Sequence, residues 1–152
     1  MKKFISSIVA ISLVFFILSA CSTPTTEQTK EIGTVAEWDY GIAEIKDAVF
    51  YQENNGTKMI RVNFKFTNPN SDPIYFISAF SVKAFQNGVE LDDMINYDIN
   101  SEEGRDLIRE IMDGASLDVF STFVLRDDSP VEVRVCTATA SEDLLAKQTF
   151  TQ

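Results

Sequence analysis

No histidine occurs anywhere in this sequence. That removes the side chain that most often serves as general base, proton shuttle or zinc ligand near neutral pH, and with it any Ser-His-Asp or Cys-His arrangement. Positive charge is also scarce. Thirteen Lys and Arg stand against 23 Asp and Glu, giving a formal charge of -10 and a pI near 4.4. Nucleic acid, whose phosphates demand a basic footprint, is therefore not an expected partner. The Gly-rich phosphate loops and the Ser-x-x-Lys spacing of penicillin-binding enzymes are missing as well. Paired carboxylates of the glycosidase kind remain open, but a surplus of acids ordinarily forms a solvated surface. The expectation is a protein that is not an enzyme and carries no cofactor. Of its 152 residues 45% are hydrophobic, including 12 Phe, enough to build one domain with a real core.

Long apolar runs are absent too, and this fixes the reading of the first residues. Lys2 and Lys3 precede an apolar stretch from Ile8 to Leu18, 11 residues long and short of the roughly 20 that span a bilayer. The stretch reads as the hydrophobic region of a secretory signal peptide. Leu18-Ser19-Ala20-Cys21 follows directly. These four residues resemble the bacterial lipobox, which implies cleavage between Ala20 and Cys21 by signal peptidase II and a diacylglycerol thioether on Cys21. Removal of residues 1–20 takes away Lys2 and Lys3 and no acid, so the net charge passes from -10 to -12. Two acyl chains hold a protein on a membrane far more durably than one. The expected organisation is a signal peptide at 1–20, a polar, Thr-rich tether at 21–37 and a domain at 38–152. The tether, as a random coil, spans roughly 20–25 Å.

Only two cysteines are present, and lipidation would consume one. Cys136 is then left alone on a strand, where it reads as a small structural side chain rather than a nucleophile.

From Trp38 onward the pattern is short strands broken by turns. Ile60-Arg61-Val62-Asn63-Phe64-Lys65-Phe66-Thr67 alternates without a break, placing Ile60, Val62, Phe64 and Phe66 on one buried face. Asn54-Asn55-Gly56 supplies a tight turn, so Ala43 to Tyr51 is its partner strand, with a bulge near Asp47-Ala48. Asn68 to Pro73 is a loop. Ile74 to Gln86 is a long apolar run in which Phe80, Val82 and Ala84 share a face, and Asn87-Gly88 turns it into a hairpin with Val89-Glu90-Leu91. Asn100 to Gly114 reads as one short helix, capped by Asn100 and Glu103, with Leu107, Ile108, Ile111 and Met112 on its apolar face. Strands follow at Ser116 to Leu125, Val131 to Thr139 and about Ala146 to Thr151. About seven strands with turns at near-regular spacing predict an all-β fold, an antiparallel β-sandwich, with a small open barrel as the alternative.

The run Phe80 to Leu91, the strand ending Phe64-Lys-Phe-Thr-Asn68, Asp113-Gly-Ala-Ser-Leu117 and Ser129-Pro-Val-Glu-Val133 together resemble a family of Gram-positive lipoproteins, domain of unknown function 5067. The resemblance implies an immunoglobulin-like sandwich on a surface lipoprotein and assigns no catalytic residue.

Three binding features are open in the sequence. Asp92-Asp93 with Asp98, or Asp127-Asp128, could gather into a loose calcium site, although adjacent acids in turns more often solubilise or cap. No EF-hand frame fits, since Gly104 and Arg109 fall where that loop needs other residues, and no metal ligand set is assigned. Trp38 and Tyr40 either form a stacking platform or close one end of the core. The excursion from Asp92 to Met112 is either a binding surface or a cover for an open sheet end. The leading expectation is a non-enzymatic binding module, held to the membrane through lipid on Cys21, with an envelope or extracellular protein as partner. The alternative is a small-ligand or calcium-binding lipoprotein.

Overall fold

A computed structural model describes residues 32–94 and 102–152. The signal peptide, Ala20 and Cys21 of the lipobox, most of the tether, Asp98 and the Asn100 cap lie outside the described residues.

Phe64 shows how the chain builds its centre. It occupies the apolar phase of β3 (Lys58–Thr67), where Ile60, Val62, Phe64 and Phe66 are all fully buried. β2 (Gly41–Gln52) pairs antiparallel with β3 across the Asn54-Asn55-Gly56 turn, whose Gly56 alone takes a positive φ, of 89°. The register slips between Ile45 and Asp47, so the bulge falls on Lys46, one residue before the expected position. β6 (Ser116–Val124) pairs on the other side of β3, and β1 (Val35–Trp38) pairs on the outside of β2. The order of this first sheet is β1-β2-β3-β6. Val35 to Glu37, expected to belong to the tether, are thus part of the sheet, and Ala36 is fully buried. A short polar run gives no strand signal of its own; pairing with β2 decides its state.

The second sheet has the order β5-β4-β7-β8, from β4 (Phe80–Gln86), β5 (Val89–Glu90), β7 (Val131–Thr137) and β8 (Leu144–Phe150). Asn87 at φ 51° and Gly88 at φ 78° make the two-residue turn between β4 and β5, with both central residues left-handed as the Asn-Gly pair requires. Val131, Val133 and Val135 are fully buried, and a second bulge between Val135 and Cys136 precedes the end of β7. Among the described residues the two sheets form an immunoglobulin-like β-sandwich of eight strands, where about seven were expected. They are separate sheets, so the barrel alternative is set aside.

Between them Phe64, Phe66, Phe76 and Phe80 form an aromatic cluster with ring centroids 5.6–6.0 Å apart. Each buried ring contributes about 1.5–3 kcal/mol. Gly41 is required beside them, because a Cβ there would lie 2.7 Å from the Phe66 ring.

Two expectations need correction. The run from Ile74 is not strand throughout: Phe76–Ala79 forms one helical turn, α1, which drops Phe76 and Ala79 into the core. Ile74 instead bridges to Ile111. The predicted helix at Asn100 to Gly114 is shorter, α2 (Glu102–Leu107). Of its predicted apolar face, Leu107 and Ile111 are buried, while Ile108 and Met112 are exposed. Ile111 is buried from extended chain rather than from a helix.

Buried Asn68 explains that extended chain. Its Nδ2 donates to the carbonyls of Asp72 and Ile111, both at 2.9 Å, and its Oδ1 accepts from the Asn70 N–H. Its own N–H donates to Ala115 and its carbonyl accepts from Gly114. Every donor of the residue is used and each of its two oxygens accepts one bond, which holds the 68–75 loop to the 111–115 segment.

Candidate functional site

The alternation that buries one side of each strand also determines the outer face of the first sheet. Register places Val49 and Tyr51 of β2, Met59, Arg61 and Asn63 of β3, and Phe120 and Thr122 of β6 there. Val49 and Tyr51 are 52% and 40% exposed, which is unusual company on one sheet face. Met59 is buried although it lies on the same side. Covering comes from the chain after β5, which crosses to the free edge of β6. Asp93 bridges to Phe123, Met94 N–H donates to Thr122, Val124 N–H donates to Asp92, and α2 packs against β6.

The result is a groove of about 480 Å³ lined by Tyr51, Met59, Asp93, Met94, Leu107 and Phe120. A second hollow of about 420 Å³ lies beside it and shares Tyr51, Phe120 and Thr122. At that junction the Arg61 guanidinium lies 3.6 Å from the centre of the Phe120 ring. Asn63 Nδ2 donates to Asp47 Oδ1 at 2.5 Å along the same face. The excursion from Asp92 therefore lines a groove, and its buried residue Leu107 also covers the sheet end.

The other residues singled out in the sequence fall elsewhere. Asp127 and Asp128 sit in the β6–β7 loop but turn to different partners. Asp127 accepts from the Ser129 N–H, the Ser129 hydroxyl and Asn87 Nδ2, and Ser129 holds its carboxyl below the ordinary value of 3.8. Asp128 pairs with Lys58 at 2.5 Å, which lowers it likewise. Beneath them buried Gln86 donates to the carbonyls of Asp127 and Ser129 and accepts from the Arg126 N–H. The two acids thus shape a loop. Among the described residues no three carboxylates or thiols are placed to share a metal ion.

Trp38 is half-buried against the core and meets exposed Tyr40 edge-to-face at 4.8 Å, so the pair closes one end of the core and is not joined to the groove residues. Cys136 is buried on β7, and burial pushes its thiol above the ordinary value of 9.0. A thiol held protonated is a poor nucleophile.

Sequence reading missed Tyr51, Arg61, Phe120 and the polar hubs Asn68 and Gln86. A signal existed for Phe120. In β6 the core phase is Leu117, Val119, Ser121 and Phe123, so an aromatic stands on the solvent phase and a hydroxyl on the core phase.

A family model for a domain of unknown function, DUF5067, matches residues 18–136. The chain belongs to this family. The match begins at Leu18 and stops at Cys136, before β8. Among solved structures, a candidate lipoprotein of Staphylococcus aureus is similar at a TM-score of 0.60 and 14% identity, over 78% of this chain and 88% of that one. A candidate lipoprotein of Bacillus subtilis, ycdA, is similar at 0.52 and 16%, over 79% of this chain but only 38% of its own length. A protein from Enterococcus faecalis reaches 0.52 at 15%, over 78% and 90%. At such identities these likenesses show the fold alone. Among curated proteins nothing matches the sequence.

Proposed function

We propose that this protein is a lipid-anchored lipoprotein facing outward from a bacterial membrane, where it acts as a non-catalytic binding module for a macromolecular partner. The anchor rests on Leu18-Ser19-Ala20-Cys21 after a short apolar run, and two structural neighbours carry lipoprotein names. Among the described residues no helix is long and apolar enough to cross a membrane. The missing histidine and the separate engagements of Asp127 and Asp128 support a binding role over a catalytic one.

The observation that carries the binding role is the groove on the outer face of β2, β3 and β6. Exposed Tyr51, Val49 and Met94 gather there beside a shaped hollow, and aromatic and Met side chains are the types enriched where proteins bind one another. Two experiments test the two halves. Cys21→Ala should lose acyl labelling and leave the membrane fraction; unchanged membrane retention contradicts the anchor. A photoreactive residue replacing Tyr51 in the anchored protein should give one discrete adduct in intact cells. A smear or no adduct contradicts the groove as the binding face.

A further inference from the structure

We infer that the sandwich holds a second site, inside it rather than on its face. A hollow between the sheets takes a neutral, ring-sized apolar molecule carrying one hydrogen-bonding group, and Ser121 anchors that group. This reading does not rest on the groove being the binding face.

The hollow has a volume of about 210 Å³ and is lined from both sheets and both helices. Phe76 and Ile77 come from α1, Phe80 and Val82 from β4, Leu107 from α2 and Ser121 from β6. Two departures from the strand pattern produce it. On β4 the inward phase is Phe80, Val82, Ala84 and Gln86, and of these only Val82 is half-buried rather than buried. On β6 the inward phase carries Ser121 between Val119 and Phe123, which are both buried. A hydroxymethyl group is far smaller than the side chains before and after it in that phase, so space is left where a packed interior has little.

Ser121 is also chemically out of place. It is 6% exposed, and among the described residues its hydroxyl has no hydrogen-bonding partner. Buried polar side chains ordinarily have one. Its Oγ can donate and accept, so it fits a hydroxyl, a carbonyl oxygen or a ring nitrogen. Ser81 borders the hollow too, but from the outward phase of β4. Asp93 borders it as well, exposed and already engaged within the protein.

These walls separate the occupants. A charged molecule would lose its water between Phe76, Phe80, Val82 and Leu107 and gain no counter-charge. A purely apolar one would fill the space and leave the Ser121 hydroxyl unpaired. Size narrows the class further. An apolar cavity of about 150 Å³ admits one benzene ring. The hollow is somewhat larger, which suits a ring with a small polar substituent.

The probes are phenol and toluene, which share a ring and differ by a hydroxyl against a methyl group. Each is titrated into the full lipidated chain in nanodiscs of neutral lipid, with Val, Leu and Ile methyl groups labelled for NMR. Phenol should give saturable shifts at Val82 and Leu107 and none at Val49 on the outer face. Ser121→Ala should weaken phenol about fivefold, the loss of one hydrogen bond, and leave toluene within about twofold. Partition into the nanodisc lipid is the same for both proteins, so it cancels in that comparison. Methyl signals of the opposite sheet, unshifted in Ser121→Ala, show that the fold persists. Absence of a saturable phenol shift would overturn the inference. Shifts at Val49 in place of Val82 and Leu107 would overturn it also, as would phenol binding unchanged by Ser121→Ala or weakened no more than toluene. None of these outcomes depends on the Tyr51 photoadduct, so the inner site and the groove stand or fall separately.

Discussion

On the outer face of β4, β7 and β8, charged groups answer one another. Lys83 pairs with Glu142 at 2.6 Å, Arg134 pairs with Glu132 at 2.5 Å while stacking over Phe85, and Lys147 approaches the same Glu132 at 3.9 Å. On the outer face of β2, β3 and β6, Tyr51 and Val49 stand exposed beside a hollow. Both faces come from strands with the same period-two alternation and share one core. The difference lies in the path of the chain between the strands. After β5 it leaves one sheet for the edge of the other, and its Asp92–Met94 segment and α2 raise a wall beside β6. A flat sheet face becomes a groove only where such a wall exists.

The sharpest way to test whether the faces share one core is to remove part of it. Phe64→Ala should cost about 4 kcal/mol, because the ring is fully buried against Phe76. Denaturant unfolding followed at both faces should show one transition; two separate midpoints would mean that the sheets unfold independently. Asn68→Ala comes next, at roughly 2 kcal/mol, since it removes the amide donor shared by the Ile111 and Asp72 carbonyls and leaves the buried Ile111 carbonyl with the Ile74 N–H alone. Hydrogen exchange should quicken in residues 111–115 and 68–75 while β7 and β8 stay protected. Uniform quickening would show that Asn68 supports the whole fold rather than this end.

A smaller effect concerns acid. Asp127 is lowered mainly by the Ser129 hydroxyl and Asp128 mainly by Lys58. Their contribution to stability is present above the unfolded value of 3.8 and is lost as pH falls through the depressed folded values. Unfolding midpoints should therefore drop below about pH 4. Asp127→Asn should flatten part of that slope, and an unchanged slope would show that the loop contacts carry none of it. Smallest of all is Glu132→Gln, which should cost under about 1 kcal/mol and less in high salt, because its partners are exposed. Tyr51→Ser should be equally mild for stability, because the side chain is exposed. A stability loss of several kcal/mol from either substitution would dissolve the distinction between a charge-paired face and a grooved one.

The sandwich was legible because alternation in Ile60 to Phe66 and Val131 to Val135, together with Asn87-Gly88, are local signals that agree with the final fold. The limits of β1 and α2 were not legible in the same way. Val35 to Glu37 become strand only by pairing with β2, and Ile111 leaves the helical pattern because Asn68 and Ile74 bond to its backbone. Such long-range hydrogen bonds leave no period in the sequence. The groove was half legible: the excursion from Asp92 was visible, but its meeting with Tyr51, Arg61 and Phe120 depends on strand order. Phe120 and Ser121, each on the wrong phase of β6, were the trace that strand order left behind.

The most direct test of the central claim sets the two faces side by side. A photoreactive residue is placed at Tyr51 in one version of the anchored protein and at Lys83 in another, and adducts are resolved from intact cells under the same illumination. A discrete adduct from Tyr51 and none from Lys83 is the predicted result. The same pattern from both positions, or an adduct from Lys83 alone, would contradict the assignment of the β2–β3–β6 face as the binding face.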